Sequence, residues 1–340
     1  MMLNSSALKN LKNQKNLLAF SAGGDSTALF FLLLENNIKF DIAIVNYNLR
    51  EQSKEEVQYA KELAKKYNLK CHLLNANKIE KNMEANARAI RYGFFEELIA
   101  KHNYNNLLTA HHLGDRFEWM LMQFCKGAGC AEMAGMQVVQ KRDNYTLVRP
   151  LLHLDKKELL EYLHTRDIKY FEDESNFDEE IKRNEFRHNY STPLIDKYLS
   201  GIKKSFEYLD EDVESLLSEI EVTIIDDFAY FKSSQSKRSD IFAIDKYIKS
   251  CGHIITAKER ALLKNSATTI VGRKFIVNFD RGFCFIIPYS NEKITMDKKF
   301  KEECRKLNIE PKLRSFLAQN DEAFLIFKKL ILNFSNLRSF

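Results

Sequence analysis

Ser21-Ala22-Gly23-Gly24-Asp25-Ser26 follows the apolar run Leu17-Leu18-Ala19-Phe20 and precedes a helix-like run from Thr27 to Leu34. A strand, a Gly-rich turn and a helix start, in that order, form a cradle for an anion. Adjacent glycines tolerate positive φ and let backbone N–H groups come close to a ligand. Ser26 and the first helical N–H groups add donors, and the helix dipole favours negative charge at that end. Asp25 is the odd member, because a carboxylate beside phosphates makes sense chiefly as a magnesium ligand. The turn therefore points to a nucleotide from which pyrophosphate departs. The plain alternative is a strand-to-helix turn capped by Ser21 or Asp25. The hexapeptide lacks both the Gly-Lys-Ser/Thr of a Walker loop and the spacing of a dinucleotide fingerprint.

Outward from this turn, short apolar runs alternate with amphipathic ones. Asp41–Val45, Cys71–Leu74 and Asn106–Ala110 read as strands, and Ser53–Tyr67, Met83–Ala100 and Leu113–Phe124 as helices. Val57, Ala60, Leu63 and Ala64 recur at helical spacing. Such alternation predicts an α/β protein whose parallel sheet is covered by helices on both faces. Ligands of these sheets bind beyond the carboxyl ends of the strands. Residues 21–26, 46–50 and 110–115 all fall at such ends.

The rhythm breaks near Gly127-Ala128-Gly129 and resumes with a helix from Asp155 to Thr165, followed by a polar stretch from Tyr170 to Asn189. Past Ser200 a helical connector is expected over Ile202–Ile220, and Lys274–Pro288 reads as a β-hairpin turning at Asp280-Arg281-Gly282. The expected division is a nucleotide-binding α/β domain over 1–200 and a connector with a smaller α+β region over 201–340.

Composition agrees with a soluble globular chain of two or three domains, with 340 residues, 45% hydrophobic and 29% charged. No apolar stretch is long enough to cross a bilayer. Lys9, Lys12 and Lys15 stand near the start without a signal-peptide apolar region, so the cytoplasm is the expected location. The six cysteines, at 71, 125, 130, 251, 284 and 304, form no Cys-x-x-Cys pair. That argues against a disulfide framework or a thiolate metal site. The net charge of +5 permits a polyanionic partner, and Asn291–Phe340 holds 11 Lys/Arg against 7 Asp/Glu.

Three further groups carry chemistry. In His111-His112-Leu113-Gly114-Asp115-Arg116-Phe117-Glu118, Asp115 and Glu118 are three apart and share a helix face. The pair suits magnesium or an ammonium group; an acidic surface paired with Arg116 is the ordinary reading. One histidine of the pair is expected to point into the sheet, and His111 or His112 to meet a phosphate or ribose. Arg88 and Arg91 are also three apart, and the guanidinium fork suits phosphate. Salt bridging with Glu84 is their ordinary reading. Arg183, Asn184 and Arg187 form a similar cluster after Asp173 and Asn176.

The opening hexapeptide resembles the Ser-Gly-Gly-x-Asp-Ser signature of the PP-loop ATP pyrophosphatases, with Ala22 in place of the first glycine. Read in order, the later elements resemble the tRNA-Ile-lysidine synthetase family. Its Val-Asn-His-Gly-Leu-Arg stretch reads Val45-Asn46-Tyr47-Asn48-Leu49-Arg50 here. Its Glu-x-x-Ala-Arg-x-x-Arg-Tyr element runs from Glu84 to Tyr92, and its Thr-Ala-His-His-x-Asp-Asp-x-x-Glu element from Thr109 to Glu118. Gly127, Gly129 and Ala134-Gly135-Met136 follow, then Arg149-Pro150-Leu151-Leu152. Glu172-Asp173-x-Ser175-Asn176 and Arg183-Asn184-x-x-Arg187 complete the series, so the resemblance covers residues 16–195. Gly114 stands where the family has the first of two aspartates, Tyr47 where it has histidine, and Trp119 where it has a small polar residue.

The resemblance implies that ATP adenylates C2 of the wobble cytidine in a CAU-anticodon tRNA-Ile, and that free lysine then displaces AMP to form lysidine. It implies ATP binding by Ser21, Ala22, Gly23, Gly24, Asp25, Ser26, Asn46 and His111, and Mg2+ at Asp25 and Asp115. Asp25, Asp115, Glu118, Arg88 and Arg91 become the expected catalytic residues, and Arg183, Asn184 and Arg187 the expected tRNA contacts. No membrane partner is expected, and a homodimer is left open. Two alternatives stand beside this reading. One is another PP-loop enzyme, a tRNA thiolase or an amidating synthetase. Thiolases generally need paired cysteines, and amidating synthetases carry a glutaminase domain, for which no candidate segment precedes residue 16. The other is a non-catalytic RNA-binding protein with a decayed nucleotide fold, favoured by Ala22 and Gly114.

Overall fold

The structure, a computed structural model, describes residues 2–48, 52–76, 83–172, 182–216, 220–234, 236–291 and 294–336. Leu49-Arg50, Asp173, Ser175, Asn176 and the side chain of Glu84 lie outside the described parts. The chain divides into two compact units, Met1–Asp212 and Val213–Phe340.

The first unit opens with α1 (Ser5–Leu11), β1 (Asn16–Ala19), α2 (Gly24–Glu35), β2 (Phe40–Asn46), α3 (Gln52–Lys66) and β3 (Cys71–Asn75). It continues with α4 (Met83–His102), β4 (Asn106–Leu108), α5 (Leu113–Phe124) and α6 (Cys130–Ala134). Then come β5 (Val139–Lys141), β6 (Thr146–Val148), α7 (Lys156–His164) and α8 (Lys182–Phe186). A five-residue π-helix, Arg187–Ser191, leads into α9 (Thr192–Leu216), which kinks at Tyr198.

Six strands lie in the order β3-β2-β1-β4-β6-β5. All neighbours are parallel except the β5–β6 edge pair, which is antiparallel across a tight turn where Arg142 N–H donates to Tyr145 O at 2.8 Å. The expected α/β class holds. The edge hairpin goes beyond the expectation, because three-residue strands are too short to show a period. Alternation along β1 sends Leu18 into a core with Leu29, Phe30 and Leu33 of α2, and Leu17 into one with Phe95, Leu98 and Ile99 of α4. Both faces are therefore covered by helices. The chain leaves β1 toward β2 on one side and returns at β4 on the other, so the carboxyl ends of β1 and β4 form a switch-point crevice.

The boundary expected near residue 200 falls inside α9. Ser200 and Gly201 look like a break, but the helix continues because Ile195, Ile202, Phe206 and Leu209 pack against Leu113 and Phe117 of α5.

The second unit contains β7 (Thr223–Ile225), β8 (Phe228–Lys232), α10 (Lys237–Ser250), α11 (Ala257–Asn265) and β9 (Thr268–Val271). It ends with β10 (Phe275–Asp280), β11 (Phe283–Pro288), α12 (Lys298–Lys306), α13 (Pro311–Leu317) and α14 (Asp321–Asn336). Its sheet is antiparallel, in the order β7-β8-β11-β10-β9. Ile244, Ile248 and Leu263 cover one face, and Leu313, Phe327 and Ile331 the other. The β10–β11 hairpin turns on Arg281 and Gly282, both at positive φ (46° and 74°), as its sequence suggested.

Beneath the first sheet, Asn16 fastens three segments. Its Nδ2 lies 3.0, 3.1 and 2.8 Å from the carbonyls of Leu11, Gln14 and Lys39, and its Oδ1 accepts from Asn106 Nδ2 at 2.8 Å. Both side chains are buried, so removing Asn16 takes a donor from the Leu11, Gln14 and Lys39 carbonyls and an acceptor from Asn106. Asn16→Ala is expected to cost about 2 kcal/mol, seen as a lower urea midpoint of the first unit at unchanged slope.

Candidate active site

The turn after β1 adopts its shape at Ala22, whose φ is 59°. This corrects the expectation that the glycines supply positive φ: Gly23 is at φ −73° and caps α2, and Gly24 is already its first helical residue. A left-handed residue bearing a Cβ costs on the order of 1 kcal/mol. Here it is held by full burial and by Phe171 N–H donating to Ala22 O at 3.0 Å. Gly24 is closely packed instead: a Cβ there would lie 3.1 Å from Leu160 Cδ2, so that side chain would have to shift by a few tenths of an ångström. Ser26 Oγ donates to Gly23 O at 3.0 Å and accepts from Ser21 N–H at 3.2 Å, with Ser21 Oγ 3.1 Å away. The first intrahelical bond is Thr27 N–H to Gly23 O, so the N–H groups of Gly24, Asp25 and Ser26 precede it and suit an anion.

Across the crevice, α5 begins with a capping box. His112 Nδ1 accepts from Gly114 N–H at 3.0 Å, and His112 N–H donates to Asp115 Oδ2 at 3.0 Å. An accepting Nδ1 leaves the imidazole proton on Nε2, which lies 3.8 Å from both Asp25 Oδ2 and Asp115 Oδ2. The histidine between the two carboxylates is therefore His112. His111 instead bonds Thr109 Oγ1 at 2.8 Å. Burial lowers the His111 pKa to about 4; Asp115 opposes the shift, and Arg149, Arg183 and Arg88 reinforce it.

Asp115 and Glu118 are buried, and the charges that answer them come from the chain around the π-helix. Arg183 donates to Asp115 Oδ1 at 2.5 Å and to Glu118 Oε2 at 3.0 Å. Arg187 donates to Glu118 Oε1 at 2.6 Å and lies 3.4 Å from Asp115 Oδ1. Burial alone would raise the Asp115 carboxyl, but His112, His111, Arg183 and the His112 N–H outweigh it and hold it far below the usual carboxylate range. Arg116 does not take part: it donates to Ala134 O at 3.0 Å, forks onto Asp210 and covers the Phe206 ring.

These contacts change several expectations. Arg183 and Arg187 face carboxylates, and Asn184 is buried, so the three do not make an open basic surface for RNA. Both Asp115 oxygens accept hydrogen bonds from protein groups, Oδ2 from the His112 N–H and Oδ1 from Arg183. Asp25 Oδ1, by contrast, is buried without a partner among the described residues, which fits a cation there. No group of three His, Cys, Asp or Glu is arranged for a metal among the described residues, so such an ion would depend on phosphate oxygens. Asn46 fastens the loop after β2 through Asn48 and Asn75. Arg91 lies near Tyr47, whose hydroxyl donates to Ala87 O at 2.8 Å. Sequence reasoning missed the placing of His112; its signal was an acid three residues after a capping position.

The PP-loop domain family matches residues 3–193. The tRNA(Ile)-lysidine synthase of Helicobacter pylori is 42% identical over 324 residues, covering 94% of this chain and 95% of that protein. Those of Campylobacter jejuni (40% identical; 93% and 96% covered) and Wolinella succinogenes (42%; 91% and 94%) match similarly. This chain belongs to the tRNA(Ile)-lysidine synthase family. The likeness passes well beyond residue 195, where the motifs stopped. A U34-tRNA thiolase from Methanococcus maripaludis shares the fold at 16% identity and TM-score 0.50, over 63% of this chain and 79% of that one.

Two departures from the tRNA(Ile)-lysidine synthase motifs, Gly114 and Trp119, have close local neighbours. A Cβ at Gly114 would lie 2.7 Å from His112 Cε1, so the ring occupies the space an aspartate stem needs. Trp119 lies against Gly135, where a Cβ would be 2.5 Å from Trp119 Cδ1.

Two measurements check the electrostatics. Arg187→Met should cost on the order of 3 kcal/mol in urea unfolding, because it leaves the Glu118 charge under-compensated, and adding Glu118→Gln should recover much of it. For His111, the folded pKa of about 4 lies below the ordinary imidazole value of about 6.5, so the unfolded chain takes the proton first as pH falls. Stability is thus retained above about 6.5 and lost toward 4. An NMR titration should find His111 near 4, and His111→Gln should remove its part of the acid slope.

Proposed function

We propose that this chain joins free lysine to C2 of the wobble cytidine of a CAU-anticodon tRNA-Ile, using ATP and an adenylated cytidine. The observation that carries the reading is the 42% identity to a tRNA(Ile)-lysidine synthase over 94% of this chain and 95% of that protein. Two displacements follow. Cytidine O2 attacks the α-phosphorus of ATP, and pyrophosphate leaves. The lysine amine then bonds C2, the C2–O2 bond breaks, AMP departs with that oxygen, and the nitrogen loses a proton.

In this reading the amides of Gly24, Asp25 and Ser26 and the Ser21 hydroxyl receive the pyrophosphate, with Asn46 and His111 bordering the nucleotide. Mg2+ bound at Asp25 Oδ1 would neutralise triphosphate charge. Asp115 and Glu118 attract the ammonium of lysine. Their oxygens already hold Arg183 and Arg187, so lysine enters by exchanging with a guanidinium, which is thereby freed for phosphate. Positioned charge of this kind supplies a large part of catalysis at phosphates. ATP and tRNA meet in the cytoplasm, which is the compartment this chemistry requires.

Labelled lysine, ATP and a CAU-anticodon tRNA-Ile transcript provide the test. Lysine should enter the RNA with equal amounts of AMP and pyrophosphate formed, and a transcript lacking the wobble cytidine should take up none. Asp25→Ala should slow pyrophosphate release by about 100-fold or more; the wild-type rate would overturn its magnesium role. Glu118→Gln should raise the lysine KM, and an unchanged lysine dependence would remove that residue from the pocket.

A further inference from the structure

Ala85, Arg88, Ala89, Tyr92 and Glu96 recur at helical spacing along one face of α4, and Arg142 and Tyr145 from the β5–β6 turn complete a groove with them. Arg88 lies over the Tyr92 ring, 4.6 Å from its centre, with Nη2 3.4 Å from the hydroxyl. Among the described residues neither Arg88 nor Arg142 forms an ion pair, and both are exposed. The one carboxylate in the groove, Glu96, accepts from Tyr145 OH at 3.3 Å. Arg149 lies close by and is buried; it donates to Gln137 O and Gln140 Oε1, and its Nε has no partner among the described residues. Burial lowers the Arg149 guanidinium to about 10; Tyr92 opposes this, and the cations of Arg142 and Arg88 add to it. Tyr47, directly after the carboxyl end of β2, donates to Ala87 O beside Arg88, so the Arg88 end of the groove lies toward the carboxyl ends of the strands.

Among the described residues, two exposed guanidinium groups and one carboxylate line the groove, with a third guanidinium buried close by, and this balance attracts a polyanion. Two tyrosine rings line the groove with these cations, an arrangement that suits single-stranded nucleic acid: phosphates meet the charges and an unstacked base meets a ring. We propose that this groove holds the RNA strand beside the reacting nucleotide, with Arg88 and Arg142 on successive phosphates and a flanking base against Tyr145. The assignment rests on the tRNA reading above. It adds Arg142 and Tyr145, which the motifs of the chain do not include.

The test measures binding of a fluorescent CAU anticodon stem-loop RNA by the full chain, and tRNA KM in the lysine assay. Tyr145→Ala should weaken RNA binding and raise the tRNA KM by about tenfold. Arg142→Gln should weaken both several-fold and reduce the salt slope of binding by about one, whereas Arg142→Lys should keep the slope. Tyr145→Phe, which keeps the ring and drops the bond to Glu96, should bind as the wild type does. The KM values for ATP and lysine should not move. Unchanged RNA binding and salt slope in Arg142→Gln would overturn the groove, as would a raised ATP KM, which would assign it to the nucleotide. RNA binding is read without catalysis, so a wild-type chain that binds the stem-loop but makes no lysidine would overturn the proposed activity alone.

Discussion

Asp115 and Glu118 put two negative charges inside the first unit, and the rest of the crevice is arranged around answering them. An unpaired buried carboxylate is costly, and helix α5 alone cannot neutralise two of them three residues apart. Arg183 and Arg187 do so from a part of the chain about seventy residues later, each reaching both acids. This pins α8 and the π-helix against α5. A π-helix is rare and tends to mark functional sites, and here it directly follows Phe186, with Arg187 as its first residue. At the other end of the cluster, the Asp115 carboxylate closes the cap of α5, and that cap fixes the His112 ring toward Asp25. One ion cluster thus links α5, α8 and the turn that starts α2.

That turn depends on a different device. Ala22 holds a left-handed conformation that its side chain resists, and the cost is offset by a bond from Phe171 and by full burial. Phe171 belongs to the segment that leads toward Arg183. The anion cradle is therefore held from two sides, by Phe171 after α7 and by His112 at the cap of α5, and His112 also joins it to the carboxylate pair.

Much of the fold was legible because the early helices and strands are long and periodic. Leu113–Phe124 was read to the residue, and the strands of the β10–β11 hairpin were betrayed by Arg281-Gly282. The three-residue strands β5 and β6 carry no period and were not legible. Nor was the run of α9 through Ser200-Gly201, where packing on α5 overrides two weak helix formers. In the candidate site, residue types and order were readable, but partners were not. Nothing in the spacing says that Arg183 pairs with Asp115 while Arg116, next to it in sequence, turns away to Asp210. Such choices are made by tertiary geometry. Positive φ was likewise assigned to the residues best suited to it, whereas the structure places it on Ala22.

Charge balance in the crevice bears on which ligand goes where. Two carboxylates and two guanidinium groups in the cluster sum to zero, while Asp25 keeps one oxygen without a partner among the described residues. A cation added to the crevice therefore gains most at Asp25, beside the amides that suit phosphate. A cation brought to Asp115 and Glu118 gains little unless a guanidinium leaves. A polyanion supplies the reason for one to leave, because a guanidinium released from a carboxylate can fork onto phosphate at similar geometry. On the proposed function, nucleotide and RNA thus prepare the site for lysine by drawing arginine away. Amine and activated base then meet only when both polyanions are in place.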